Sequence, residues 1–360
     1  VTAPNTEDLD MHETTALSAA LSATYRNQLA SAGLTPLWEH LSGALPHGRP
    51  AGLTRANHWR YRDIRPLLLQ AGEQVPVEKA ERRVLVLSDP GRGPTAMQAT
   101  GGIYAGIQLI LPGETAPTHR HSPSAARVVI EGNGGFTVVN GQRCEMERGD
   151  VILTPSGQWH DHGHHGTGPF TWLDVLDLPV FTAVEASYAE AATPGCNVGD
   201  ALASLQSRLL RDGLAVPAAL RRPNPYPMLR FPWQRTRAAL LDLARHAPAG
   251  APIEVAYVNP ETGDSCLPIM GFTAMQLPAG RTLSPVPRSP GAVFHVIEGD
   301  GETTVDGKSF SWSAGDTFTA PAFADLAHRA GIHSGPSFLL RIDDEPLHRK
   351  LGFFQERKFA

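Results

Sequence analysis

Residues 117–134 read PTHRHSPSAARVVIEGNG, and the pair His119 and His121 is the first place where side chains could do chemistry. Histidine is the commonest metal ligand. In a strand, positions i and i+2 face one side, so both imidazoles can point the same way. A third, His160, lies in GDVILTPSGQWHDHGH (149–164) and can reach them from a later strand. Glycines frame both segments, Gly113 and Gly132 around the first, Gly149 and Gly157 in the second. Three neutral nitrogens with open positions suit a borderline divalent metal. Fe(II) is the choice if O2 is a co-substrate, while Zn(II) or Ni(II) would fit the same nitrogens.

Other polar residues fall on the same β-rich framework: Arg83, Gln108, Arg127, His162 and Asp174. Burying several such groups without a function is costly, so together they are candidates for a site lining. Two arginines beside a dication make sense if anions enter, and a carboxylate and a phenolate are such anions.

The elements that must position these residues are short strands. RVLVLSDPG, IYAGIQLILPGE, RVVIEGNGGFTVVNGQRCEMERGDVILTPSG and FTWLDVLDLP are punctuated by Gly, Asn, Asp and Pro, as in a β-barrel or sandwich. Asn140-Gly141 suits a type I′ hairpin turn. The texture returns in PAGRTLSPVPRSPGAVFHVIEGDGETTVDGKSFSWSAGDTFTAPA, an internal repeat of roughly 165 residues that implies two domains of one fold. Val286, Arg288 and Leu326 occupy the places of His119, His121 and His160, with His295 and His328 near but misplaced. The second barrel is expected to be metal-free and structural.

The expected organisation is an N-terminal helical region (1–80), a metal-binding barrel (81–180), a helical and extended connector (181–250), a metal-free barrel (251–345) and a C-terminal tail (346–360). The first fourteen residues are expected to be flexible. Helices are expected over 15–33 and 35–46, within 58–73, and in the connector at GDALASLQSRLLRDG and TRAALLDLARHA.

Composition bounds the rest. The 360 residues are 41% hydrophobic and 19% charged with a formal net charge of -5, which offers no electrostatic case for nucleic acid or an anionic membrane. Cys144, Cys196 and Cys266 are odd in number and far apart, against a disulfide scaffold or a four-cysteine metal site and in favour of a cytoplasmic setting. The acidic start VTAPNTEDLDMHET does not read as a signal peptide, and no long apolar run reads as a membrane span.

The two histidine segments resemble the paired signature motifs of the cupin superfamily, whose fold is a small double-stranded β-helix, or jelly roll. The fold class is then all-β: a bicupin, with N-terminal and linker helices around two barrels. Most metal-binding cupins carry a glutamate ligand four residues after the second histidine, and here that residue is Ala125. The site is left with three histidines and no carboxylate, which counts against an isomerase or oxalate-type decarboxylase. The intact ligand set and interior arginines count against a non-catalytic bicupin.

The likeness narrows over most of the chain. AERRVLVLSDPG (80–91), YAGIQLILPGETAPTHRHSPSAARVVIEGNG (104–134), GDVILTPSGQWHDHGH (149–164), LDVLDLP (173–179) and YVNPETGDSCLPIM (257–270) resemble the gentisate 1,2-dioxygenase family of ring-cleaving bicupins. Within it the chain is most similar to broad-range members accepting salicylate, gentisate and 1-hydroxy-2-naphthoate. The resemblance implies Fe(II) on His119, His121 and His160. It implies O2 insertion between C1 and C2 of a small aromatic 2-hydroxycarboxylate, giving a 2-oxo dicarboxylate. Arg83, Arg127 and His162 would handle the substrate's oxygens, His162 also as an acid or base. Asp174 would support the site and Gln108 would line it. Family members commonly have tryptophan where this chain has Tyr104, which leaves an aromatic wall of altered size. Gly106, on the same face, leaves space beside it. A homo-oligomer, often a tetramer, is the family's usual assembly.

Overall fold

A computed structural model describes residues 21–194, 198–199 and 224–359, except 51, 81, 94, 249–250 and 333–334, together with positions 205, 209 and 218. The expected flexible start and the connector helix at 199–213 lie outside the described residues, apart from isolated positions. The described residues up to Gly52, with Phe359, form one compact unit, and those of 53–358 form the other. In the first unit, helix α1 (Ala23–Ser31) begins where the Ser22 side chain accepts the Tyr25 N–H. The segment expected as a second helix is a 3-10 turn (Leu37–Glu39) followed by a single α-turn (Leu41–Ala44).

The larger unit holds two barrels, each of two antiparallel sheets. In the first barrel β2 (Arg83–Val86), β3 (Tyr104–Ile110), β10 (Phe170–Leu176), β5 (Ala125–Glu131), β8 (Val151–Thr154) and β12 (Arg230–Phe231) form one sheet. The facing sheet contains β11 (Ala189–Ala191), β4 (Thr115–His121), β9 (His160–His164), β6 (Gly135–Val139) and β7 (Gln142–Met146). Asn140 and Gly141 both take positive φ, as a type I′ turn requires. Asp306-Gly307 does the same in the second barrel.

The second barrel repeats the plan. Its larger sheet runs β13 (Glu254–Ala256), β14 (Gly271–Leu277), β21 (Ser337–Asp343), β16 (Ala292–Glu298), β19 (Thr317–Ala320) and β1 (Asn57–Trp59). The smaller contains β15 (Thr282–Leu283), β20 (Leu326–Ala330), β17 (Asp300–Val305) and β18 (Lys308–Ser313).

The repeat also includes the segments that join the barrels. Helices α2 (Tyr61–Gln74) and α4 (Trp233–His246) have the same length and are each preceded by a short edge strand. Helix α2 packs on β2 and β3 of the first barrel, yet its first N–H, from Tyr61, is accepted by Asp316 of the second at 2.8 Å. Helix α4 packs on β13 and β14 of the second barrel, and the Trp233 N–H is accepted by Asp150 of the first at 2.8 Å. A carboxylate at a helix start satisfies an orphan N–H and favours the dipole. Each helix then grips a glutamate of the barrel it has not been capped by. Tyr61 Oη and Arg65 donate to Glu131, and Trp233 Nε1 and Arg237 donate to Glu298. This is why α4 begins at Trp233, ahead of the stretch whose composition favours helix.

Two buried histidines of the second barrel have a measurable consequence. Burial holds both His295 and His328 neutral, with pKa lowered to about 4. Between about 4 and the ordinary 6.5 the unfolded chain binds more protons at these positions, so stability falls as pH drops through this window. Each site contributes up to about 1.4 kcal/mol per pH unit. Urea unfolding between pH 7 and pH 5 should show that slope flatten in a His295→Gln, His328→Gln double variant. An unchanged slope would mean the two rings do not titrate this way.

Candidate metal centre

Strand β4 carries His119 and His121, and β9 carries His160, in register with His119. The β4–β9 ladder shifts register between Ala116 and His119, a bulge of the kind that re-aims side chains. The residues after helix α3 (Leu178–Ala183) return as β11 and cover the outer edge of β4, Ala189 opposite His121 and Ala191 opposite His119.

All three imidazoles are fixed through Nδ1 by backbone carbonyls. His119 bonds Pro117 O at 2.8 Å, His121 bonds Pro123 O at 2.7 Å and His160 bonds Gln158 O at 2.9 Å. A carbonyl only accepts, so Nδ1 carries the proton and Nε2 offers its lone pair. The Nε2 atoms of His119 and His160 are buried with no protein partner. The ligand atoms of the three residues lie within 4.8 Å of one another, the one group among the described residues able to hold a metal. Burial, then the Arg82 charge, lowers the His119 pKa to about 3, and burial lowers that of His121 to about 4. His160 is lowered further, again mainly by burial. Neutral, inward, carbonyl-oriented imidazoles with orphaned lone pairs fit a bound divalent metal.

The wall opposite is built from the larger sheet. Arg127, Asp174 and Gly106 stand side by side across β5, β10 and β3. Arg127 Nε lies 3.5 Å from Asp174 Oδ1, and the guanidinium also reaches Thr154 Oγ1 and, at 2.9 Å, His162 Nε2. Arginine only donates, so His162 Nε2 accepts and its Nδ1 proton goes to Thr137 Oγ1 at 3.0 Å, whose hydroxyl donates to Met146 Sδ at 3.3 Å. His162 thereby holds the Arg127 guanidinium in place. Burial lowers the Arg127 pKa to about 10 and raises that of Asp174, so desolvation outweighs their mutual attraction in both.

Gln108 is buried on β3 opposite Trp172 and shares a face with Gly106 and Tyr104. A Cβ on Gly106 would come 2.6 Å from Val84 Cγ1 and 2.8 Å from the Tyr104 hydroxyl, so glycine is needed beside this tyrosine.

Arg83 is not brought to the site. It pairs in register with Leu109, whereas Val84 pairs with Gln108, so its side chain leaves the opposite face of the sheet. There it donates to Gly72 O of α2 at 3.2 Å and to Glu114. The neighbour Arg82, exposed just ahead of β2, has a charge that acts on His119, His121, His162, Tyr104 and Asp174. Strand parity is the signal that separates them: Arg82 alternates with Val84 and Val86, and that face belongs to Gln108 and Gly106.

Comparison with known proteins agrees with this geometry. The cupin domain family matches residues 106–176. The chain is 46% identical to a gentisate 1,2-dioxygenase of Ralstonia sp. over 94% of both chains. It is 33% identical to a 5-aminosalicylate 1,2-dioxygenase of Comamonas sp. over 92% of this chain and 89% of the other. The crystal structure of salicylate 1,2-dioxygenase from Pseudoaminobacter salicylatoxidans with gentisate superposes with a TM-score of 0.83 at 29% identity, covering 94% of this chain and 93% of that one. The likeness to the salicylate enzyme extends over the whole fold, while sequence identity is higher with the Ralstonia protein.

Proposed function

This chain belongs to the gentisate 1,2-dioxygenase family and is a ring-cleaving dioxygenase, and from that premise we propose that it uses Fe(II) to open gentisate between C1 and C2, with salicylate a poorer substrate. The observation that carries the metal is the set of three histidines whose Nδ1 atoms are held by carbonyls and whose Nε2 atoms converge. Fe(II) held there supplies the redox chemistry that engages O2, with no protein charge among its ligands to oppose an anionic substrate. The 46% identity with the Ralstonia enzyme supports gentisate ahead of salicylate, as does the second ring hydroxyl, which makes gentisate easier to oxidise.

The protein's own part is binding and orientation. Arg82 and Arg127 supply the positive charge that takes the substrate's carboxylate and hydroxyl oxygen. His162, Thr137 and Thr154 fix the Arg127 guanidinium in plane, and Asp174 keeps it charged despite burial. Gly106 leaves room for the ring, with Tyr104 and Gln108 beside it. The buried thiols Cys144 and Cys266 support a cytoplasmic setting. Among the described residues no helix is long and apolar enough to cross a membrane. Exposed Leu34, Leu37, Trp38 and Leu41 in the N-terminal unit support assembly into a homotetramer.

The direct test is anaerobic Fe(II) loading followed by gentisate and air. O2 uptake with a new ultraviolet-absorbing product is expected, and no uptake with any 2-hydroxybenzoate would defeat the reading. The two neighbouring arginines separate in a second measurement. Arg82→Ala should raise KM for gentisate about 10- to 100-fold, the scale of a lost charge-assisted hydrogen bond, with little change in Tm. Arg83→Ala should lower Tm and leave KM near wild type. The reverse pattern would return the substrate role to Arg83.

Tyr104 sets the size of the aromatic wall. Tyr104→Trp should leave the fold intact and shift the ratio of kcat/KM for gentisate and salicylate several-fold, since a larger ring must sit against Val84 and Gly106. Equal ratios in the two proteins would show that position 104 does not touch substrate choice.

A further inference from the structure

The far end of each crossed helix meets the same positions of the duplicated frame. Gly72 and Ala244 are each the twelfth residue of their helices, α2 and α4. Leu109 and Gln276 are each sixth in their strands, β3 and β14. Arg83 pairs with Leu109, and Ile253, whose carbonyl accepts the Gln276 N–H at 2.8 Å, lies beside Gln276 in the same way. Glu114 and Arg281 each follow a glycine of positive φ, Gly113 and Gly280, just past those strands.

In the first barrel this corner is filled. Arg83 bridges the Gly72 carbonyl and the Glu114 carboxylate. A Cβ on Gly72 would come 3.1 Å from Leu109 Cδ2 and 3.2 Å from Arg83 Nη1. In the second barrel the corner is a cavity of about 420 Å³, and Ala244, Ile253, Gln276 and Arg281 all line it. Pro252, Pro278 and Leu283 add apolar wall.

The polar groups at this cavity lack what Arg83 and Glu114 give each other. The fourth residue after Ala244 is Pro248, which has no N–H, so the Ala244 carbonyl has no helical donor. Gly72 is followed by Pro76 at the same distance, and there Arg83 is the donor, whereas Ile253 has nothing to donate. Gln276 is only 7% exposed, and its Oε1 is buried with no partner. Arg281 is exposed, and among the described residues no carboxylate pairs with it.

The charges are therefore reversed relative to the first barrel. A cation stands in the place of Glu114, and the orphan carbonyl lies at a helix C-terminus, where a positive charge is favoured. What fits carries an anion for Arg281 and, close to it, a cationic N–H donor for the carbonyl. A carboxamide both donates and accepts, so Gln276 can meet either group. The walls call for an apolar body.

We propose that this corner of the second barrel is a binding site for an apolar α-amino acid. Its carboxylate lies on Arg281, its ammonium takes the place of the Arg83 guanidinium at the helix end, and its side chain lies against Ile253 and the prolines. No bond is made or broken, and no metal is required.

The test is 19F NMR of 4-fluoro-L-phenylalanine with the metal-free full-length protein. Two analogues serve as controls, 3-(4-fluorophenyl)propionate without the ammonium and 2-(4-fluorophenyl)ethylamine without the carboxylate. Saturable binding of the amino acid is expected, at least about tenfold tighter than either analogue, the scale of one hydrogen bond to a charged group. Arg281→Ala should cancel the advantage over the amine. Ile253→Arg with Arg281→Glu rebuilds the first barrel's ion pair inside the cavity and should remove binding. Circular dichroism and Tm report whether each variant is folded, and Arg281→Ala, at an exposed position, carries the test if the double variant is not. Absence of saturable binding would overturn the proposal. So would binding that is unchanged in the folded variants, or an analogue that binds as tightly as the amino acid. The measurement uses neither metal nor turnover, so its outcome is independent of the ring-cleavage reading.

Discussion

His160→Ala should abolish tight metal binding and ring cleavage together, lowering turnover by at least about a thousandfold, the scale on which single active-site groups act. His119 and His121 lie on one strand, and His160 alone closes the set from another, its ring centroid 4.1 Å from that of His119 and 4.8 Å from that of His121. Two nitrogens on β4 would remain, with nothing across the barrel to hold the ion between them. The residue is buried, but the Gln158 carbonyl it leaves can be reached by water entering the vacated space, so the variant should fold. Metal content by elemental analysis and O2 uptake check the two losses separately. A variant that retains stoichiometric iron and turnover would place the metal elsewhere.

Arg127→Met should lower turnover by about 10² to 10³ and destabilise the protein by about 3–5 kcal/mol, the range for stranding one partner of a buried ion pair. The substitution leaves the Asp174 carboxylate buried without a cation and His162 Nε2 without a donor. A second change should uncouple the two effects. In Arg127→Met, Asp174→Leu the uncompensated charge is gone, so much of the lost stability should return, because replacing a buried pair by apolar groups is often neutral. Activity should not return, because the substrate would still lack its cation. The second barrel is a natural precedent: Phe294 stands where Arg127 does and the barrel is complete without the pair. Chemical denaturation and steady-state kinetics on the single and double variants give both numbers. Recovery of turnover in the double variant would show that Arg127 serves structure alone.

What the chain discloses before folding depends on how far apart the deciding residues lie. The His-x-His spacing and the Asn140-Gly141 turn are local, and each dictates its own geometry. The duplication is legible because the IEG and Gly-Asp turns recur at nearly the same offset. The choice between Arg82 and Arg83 is different, since both fit the motif and only the register of β2 on β3 decides which faces inward. The tautomer of His162 is more remote still. It is set by Arg127, which reaches it from the facing sheet. The start of α4 at Trp233 is invisible for the same reason, because its capping carboxylate is more than eighty positions away.

The crossed helices carry a consequence for how this duplication persists. Each repeat lends its edge strand to the other barrel: β1 pairs with β19, ahead of the repeat that owns β19, and β12 pairs with β8 behind it. Each helix lies on one barrel with its first N–H held by the other. A cut between the halves would remove Asp316 from the start of α2 and Asp150 from the start of α4. The repeat that lost its metal ligands therefore could not be discarded along with them. It persists as the frame that sets the helix over the catalytic sheet, and the two barrels stand or fall as one body.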